Sequence, residues 1–227
     1  MICSGVSHSG CMYIYQVERT LIRKQLTRVA HYIRGDVLDI GGGERTRYKD
    51  IFSPDSFSCL DIYEGPGIDI VASADDIPLP DESKDSILST QMLEHVKFPE
   101  QCVKEMYRVL KPGGYAVITA PQWNELHAEP IDFWRYTKYG LTELFERNGF
   151  TVVEFHQRGG FFSLAAQMTI RYFMDRLSLH ERPIVGRIMS HVFRIFGSLA
   201  ITLDRIDMGT ANRKHAIGWC FVFQKVS

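Results

Sequence analysis

Apolar residues in the middle of the chain fall into short runs separated by polar helical stretches. "DVLDI" (36–40), "FSCLD" (57–61), "IDIV" (68–71), "DSILS" (85–89) and "YAVITA" (115–120) read as strands, too apolar to leave one face in water. Between the last two, "FPEQCVKEMYRVLKPGG" places Val103, Met106, Val109 and Leu110 on one helical stripe, and Pro112-Gly113-Gly114 ends it. "LTELFERNGF" repeats that logic with Asn148-Gly149 as the stop, and the strand "TVVEF" follows. "GWCFVFQKV" near the end reads as a seventh strand. Strands alternating with helices predict an α/β fold: a Rossmann-like, mostly parallel seven-stranded sheet with helices on both faces.

The connection between the last two strands is far longer than a hairpin loop. It predicts a helical insertion before the last strand, with one helix over 161–179 and a second over 184–206. In the second, Ile184, Ile188, Val192, Phe196, Leu199, Leu203 and Ile206 form an apolar stripe, with Arg187, His191, Arg194, Ser198, Thr202 and Arg205 on the other side. Residues 14–33 read as one leading helix. The expected organisation is an N-terminal helical extension (1–35), a core of 36–157 with 214–227, and the insertion (158–213). The insertion has three readings: it packs on the core or on a second copy of the chain, it roofs a hydrophobic pocket, or it rests on a membrane surface.

A chain of 227 residues, 45% of them hydrophobic, can bury a full core. A net charge of −1 gives no basic field for nucleic acid, so no nucleic-acid partner is expected. Cys3, Cys11, Cys59, Cys102 and Cys220 are odd in number and unpaired in spacing, which fits a reducing, cytoplasmic setting. The N-terminus lacks the basic leader and apolar run of a secretory signal. Arg187, His191 and Arg194 interrupt the most apolar segment, so no transmembrane helix is expected.

The chemistry concentrates where strands end. "VLDIGGGERT" turns from a strand into Gly41-Gly42-Gly43, and such glycines let backbone approach a ligand at a strand's carboxyl end. Gly41 and Gly43 match the first two positions of the dinucleotide fingerprint G-x-G-x-x-G, but Thr46 stands at the third. Glu44 adds a carboxylate where a pyrophosphate would sit, so the loop suits a nucleoside without phosphates. Asp61, 22 residues after Asp39, ends the second strand at the offset that suits a ribose diol.

Taken together, these segments resemble a class I S-adenosylmethionine-dependent methyltransferase, of the small-molecule, type 11-like group that includes quinone methyltransferases. "VLDIGGG" resembles the family's first motif, "LDIY" its acidic second-strand end, and "ADDIPLPDESKDSILSTQMLEHV" its third and fourth segments. "EMYRVLKPGGYAVITAP" is similar to the family's helix, turn and fifth strand. The resemblance implies S-adenosyl-L-methionine as cofactor, with Asp39, Gly41, Gly42 and Gly43 along its methionine part and Asp61, with Ile62 beside it, at the ribose. Ser73 stands where relatives often carry an aspartate for the adenine, so Asp75, Asp76 or the backbone would take that role. Gln91, Met92 and His95 correspond to the wall beside the sulfonium, and Arg45 replaces a glycine common among relatives.

For the acceptor, two stretches carry candidate catalytic groups. "QMLEHV" (91–96) offers His95 as a base or as a positioning group paired with Glu94. "ELHAEPIDFWRYT" (125–137) gathers His127, Asp132 and Arg135 in one loop, although Asp132 and Arg135 can equally pair to shape it, Trp134 can be core and Thr137 can cap the next helix. This stretch resembles a bacterial branch of the family, many of whose members sit among genes of surface-sugar assembly. The expected reaction is methyl transfer to a small-molecule or saccharide acceptor on oxygen. The alternatives are a carbon or nitrogen of a soluble metabolite, or a non-catalytic cofactor-binding subunit. "YRVLK" (107–111) matches a dehydrogenase spacing, but its lysine abuts the Pro-Gly-Gly stop. No H-E-x-x-H or similar ligand spacing occurs, and no metal is expected.

Overall fold

The computed structural model describes residues 14–43 and 48–226. Seven strands, β1 (Asp36–Ile40), β2 (Ser56–Asp61), β3 (Ile70–Val71), β4 (Lys84–Thr90), β5 (Leu110–Pro121), β6 (Phe150–Arg158) and β7 (Gly218–Lys225), form one sheet in the order β3-β2-β1-β4-β5-β7-β6. β1 to β5 pair in parallel, and β7 runs antiparallel to both β5 and β6. The fold is therefore the expected mixed, mostly parallel sheet.

Alternate residues of the central strands divide between two cores. On one face Leu38, Ile87, Ala116, Ile118, Phe221 and Phe223 meet Val103 and Met106 of α2 (Pro99–Val109) and Leu141 and Phe145 of α3 (Lys138–Glu146). Phe145 stacks on Phe223 with ring centroids 3.9 Å apart. On the other, Val37, Leu88, Val117, Cys220 and Val222 meet Ile22, Leu26 and Val29 of α1 (Val17–Val29). Burying residues of both parities explains why these strands read as continuous apolar runs.

Two boundaries differ from expectation. α2 ends at Val109, and Lys111-Pro112-Gly113-Gly114 belong to β5 rather than to a terminating turn. Lys84 pairs with Leu110 and Ser86 with Tyr115, so β4 advances two residues while β5 advances five. The Pro-Gly-Gly segment is the bulge that absorbs the excess, with Gly113 at φ +76°. The leading helix is shorter than 14–33, because Ala30–Tyr32 tighten into a 3-10 turn.

The insertion forms α4 (Phe161–Arg176), α5 (Pro183–Ile206) and the short α6 (Thr210–Arg213). α4 and α5 share a core with Ile14, Tyr15 and Val17, so the start of the chain and the insertion pack together. α5 corrects the sequence reading of its faces. Its buried side is Gly186, Phe193, Gly197, Ala200 and Ile201, while Ile184, Ile188, Val192, Phe196, Leu199 and Ile206 of the predicted apolar stripe are exposed. Small residues explain the inversion. A Cβ on Gly197 would stand 2.7 Å from Tyr15 Cε1 and 2.8 Å from Val17 Cγ2, so this side permits an approach that a branched stripe would block. α5 is also long and apolar enough to cross a membrane by length and composition, which the expectation of no transmembrane helix missed; a third of that window is buried against the body.

Candidate functional site

The carboxyl ends of β1, β2, β4 and β5 hold nearly every residue singled out by sequence. After β1, Gly41 and Gly43 adopt φ +77° and +68°. A Cβ on Gly41 would lie 2.4 Å from Met92 Cγ, and one on Gly42 would lie 2.5 Å from Asp39 Oδ2, so the protein side of this turn is filled. Above Gly43 nothing lies within 4 Å of the added Cβ position among the described residues. Residues 44–47 lie outside the described residues, and with them the readings of Glu44, Arg45 and Thr46.

Asp61 closes the turn from the neighbouring strand. Its Oδ2 accepts the Gly43 N–H at 3.2 Å and its Oδ1 accepts the Tyr63 N–H at 3.1 Å. Ile62 beside it is an exposed apolar side chain. Past β3, Ser73 donates to the Asp75 carboxylate, while Asp76 is exposed and bonds Ser73 through its backbone. Among the described residues the cradle has a filled floor, an open side above Gly43 and the Asp39 and Asp61 carboxylates at the strand ends. Such a set fits a nucleoside with a sulfonium better than a phosphorylated coenzyme.

Gln91 and Met92 part company. Met92 packs under Gly41. Gln91, at φ +53°, turns its side chain to a buried polar knot, donating to Glu18 Oε1 at 3.2 Å and accepting from Arg158 at 3.0 Å. Arg158 is fully buried, also donating to Glu18 (2.8 Å), Gln25 (3.1 Å) and the Trp219 carbonyl (3.1 Å). Sequence reasoning missed this knot. A lone arginine at a strand end carries no signal that a glutamate 140 positions earlier meets it.

The two acceptor-side stretches dock on each other. The Glu94 carbonyl accepts the N–H groups of Phe133 (2.8 Å) and Trp134 (3.2 Å), Trp134 Nε1 donates to Val96 O at 2.9 Å, and Tyr136 OH donates to Leu93 O at 3.0 Å. His95 Nδ1 donates to Ile131 O at 2.7 Å. This strapping sets the His95 and His127 rings edge to face, 4.9 Å apart. Trp134 is exposed rather than core, and Thr137 caps α3 by accepting from Gly140 N at 3.1 Å.

Asp132 and Arg135 shape the loop. Burial alone would raise the Asp132 carboxyl, but Arg135 in a double hydrogen bond (2.7 and 2.8 Å) and the His127 N–H (2.9 Å) outweigh it and hold it down to about 2. Arg135 spends its remaining donors on the carbonyls of Asn124, Glu125 and Trp134. Burial also lowers the His95 imidazole, keeping it neutral. Glu94 was read only as a partner of His95. It is fully buried, and burial pushes its carboxyl up to about 8. From the insertion, Arg171 of α4 pairs with Glu125, so the loop is bordered by that helix.

Strand order, the glycine turn and the acid ending β2 are those of a Rossmann-like α/β domain. Residues 54–118 match the family of the methyltransferase domain. An uncharacterized methyltransferase of Mycobacterium ulcerans is 46% identical over 59 residues, 26% of this chain and 23% of that protein. A Mycolicibacterium smegmatis protein described as a probable S-adenosylmethionine-dependent methyltransferase is 33% identical over 94 residues, 37% of each. The matched region thus spans about a quarter to a third of these curated relatives. Among solved structures, the [4+2]-cyclase SpnF aligns with 92% of this chain and 80% of its own at a TM-score of 0.58 and 17% identity. The Burkholderia thailandensis 1,6-didemethyltoxoflavin-N1-methyltransferase, solved with S-adenosylhomocysteine, covers 90% and 78% at 0.55 and 11%. Over residues 54–118 the chain is thus similar to a methyltransferase domain, and its fold is shared with these solved structures.

Proposed function

We propose that the chain transfers a methyl group from S-adenosyl-L-methionine to an oxygen of a small-molecule or saccharide acceptor. The cofactor supplies an activated methyl on a sulfonium; the protein supplies alignment and a proton acceptor. Asp61 and the Gly41–Gly43 turn would hold the nucleoside and amino acid ends, with Ile62 beside the base. The observation that carries the reading is the pairing of two imidazoles at the β4 and β5 ends, each with Nδ1 engaged by a carbonyl and Nε2 left as the lone-pair atom. A neutral imidazole there takes the hydroxyl proton as the oxygen is methylated.

The test is formation of S-adenosylhomocysteine by the purified chain given fractionated bacterial extracts, with the product carrying one added methyl on oxygen. His127→Asn should lower turnover by about 100-fold. Tight cofactor binding without turnover in any fraction would instead support a non-catalytic subunit, and SpnF shows that the fold alone does not fix the reaction.

A second reading concerns where the acceptor is met. The outward side of α5 presents Ile184, Ile188, Ile195 and Leu199 as exposed apolar side chains along one helical face, with Arg187, Arg194 and Arg205 beside them, and α4 exposes Met168 and Tyr172. An apolar face flanked by arginines fits an anionic lipid surface. The chain should float with vesicles containing anionic lipid, and Ile188→Glu with Leu199→Glu should abolish flotation. Flotation unchanged by that pair, or a dimer that the pair dissociates, would remove the membrane reading.

A further inference from the structure

Glu94, His95 and His127 bring one donor atom each to within 4.8 Å of the other two. The carboxyl of Glu94 has no accessible surface, and neither oxygen has a hydrogen-bond partner among the described residues. A buried, unpaired carboxylate is costly, so it must keep a proton or meet a cation. The nearby guanidinium groups are committed elsewhere, Arg135 to Asp132 and three carbonyls, Arg158 to Glu18, Gln25, Gln91 and a carbonyl. His95 Nε2 stands 4.0 Å from Glu94 Oε1.

The rings are oriented as ligands are. A carbonyl oxygen only accepts, so the contacts of His95 Nδ1 with Ile131 O (2.7 Å) and of His127 Nδ1 with Glu125 O (3.0 Å) put the proton on Nδ1 and the lone pair on Nε2 in both. The Asp132 carboxylate, 3.4 Å from His127 Nδ1, backs the second ring. Imidazoles whose far nitrogen donates to a carbonyl or carboxylate are the usual outer support of a metal ligand set.

We propose that Glu94, His95 and His127 bind one divalent first-row transition ion, of the zinc class, on the acceptor side of the site. Two imidazoles and one carboxylate suit such ions and leave positions for water or an acceptor hydroxyl. Bonds of about 2.0–2.2 Å set tetrahedral ligands roughly 3.4 Å apart, so donors now within 4.8 Å of one another must close by up to about 1.4 Å, which His127 on its loop can supply. The ion would neutralise Glu94 and occupy both Nε2 lone pairs, so in the loaded protein the proton of an ion-acidified hydroxyl would leave to water rather than to an imidazole; that use rests on the proposed transfer, whereas the binding does not. His127 lies 32 residues after His95 in sequence, outside any compact ligand motif.

The experiment uses the full chain, without a polyhistidine tag, stripped with chelator and titrated with Zn²⁺ by calorimetry and with Co²⁺ by visible absorption. One equivalent of Zn²⁺ should bind with micromolar or tighter affinity, and Co²⁺ should give d–d bands of a low-coordinate site. His127→Asn, on a surface loop, should weaken Zn²⁺ at least about 10-fold with an unchanged circular dichroism spectrum, while His180→Asn leaves it intact. Glu94→Gln should do the same if it folds. No saturable Zn²⁺ binding below about 100 µM, or unchanged binding in His127→Asn, overturns the proposal. S-adenosylhomocysteine calorimetry on the same sample separates the readings: cofactor bound without zinc sinks only the metal site, and zinc bound without cofactor sinks only the transfer.

Discussion

Single side chains do two kinds of work here, and each gives a test. Asp61 joins the ends of β1 and β2 through Gly43 and Tyr63, and in the proposed function its carboxylate would meet the ribose. Losing a charged acceptor costs about 1.5–3 kcal/mol, so Asp61→Ala should weaken S-adenosylhomocysteine about 10- to 100-fold by calorimetry. Asp85 works at the opposite end of the sheet. It accepts from Lys111 Nζ at 2.7 Å and from Asp36 N at 2.8 Å, and the Lys111 bond, first, then the backbone bond hold its carboxyl below the usual 3.8. A carboxyl lowered in the folded state stabilises above its unfolded value and loses that contribution as pH falls through the folded one. Asp85→Asn should therefore be less stable than the parent in urea at pH 7, with the gap closing below about pH 3.

Elements show what pattern carries and what it leaves out. All seven strands were legible because a sheet covered on both sides needs unbroken apolar runs, and the turns announced themselves as glycines. The Pro-Gly-Gly of β5 was misread because proline and glycine mark bulges as well as helix ends, and only the pairing with Lys84 and Ser86 decides between them. The positions of Asp39, Gly41 and Asp61 at strand ends, and of His95 and His127 in the stretches after β4 and β5, were legible from local pattern. The Arg158 knot and the burial of Glu94 depend on contacts across the fold, which no local window contains. The faces of α5 were inverted for a related reason: periodicity weighs hydrophobicity, whereas close helix packing here selects Gly186, Gly197 and Ala200 for size. Gly197→Val tests this directly. Its Cβ must displace Tyr15 and Val17, and overpacking of this kind costs about 1–3 kcal/mol, so the urea midpoint should fall although glycine is the poorer helix former. An unchanged or raised midpoint would mean that α5 does not pack on the start of the chain.

The whole molecule couples these parts, because the cofactor cradle, the strapped loop and the insertion all hang from one sheet. β4 ends in the stretch that carries Met92 under the glycine turn and Glu94 under the loop, and α4 reaches that loop through Arg171. A ligand that binds only the folded cradle therefore stabilises the entire chain by mass action, about 2.7 kcal/mol at a hundred times its dissociation constant. For a domain of this size each kcal/mol raises Tm by about 2–4 °C, so saturating S-adenosylhomocysteine should lift the midpoint by roughly 5–10 °C. A nicotinamide dinucleotide at the same concentration should leave it in place, since the Asp61 carboxylate borders the turn and would repel a pyrophosphate. The Asp61→Ala chain should lose most of the ligand shift measured from its own ligand-free Tm, which separates a damaged site from a damaged fold. Equal shifts from both nucleotides, or none from either, would place the binding chemistry outside the cradle built by β1 and β2.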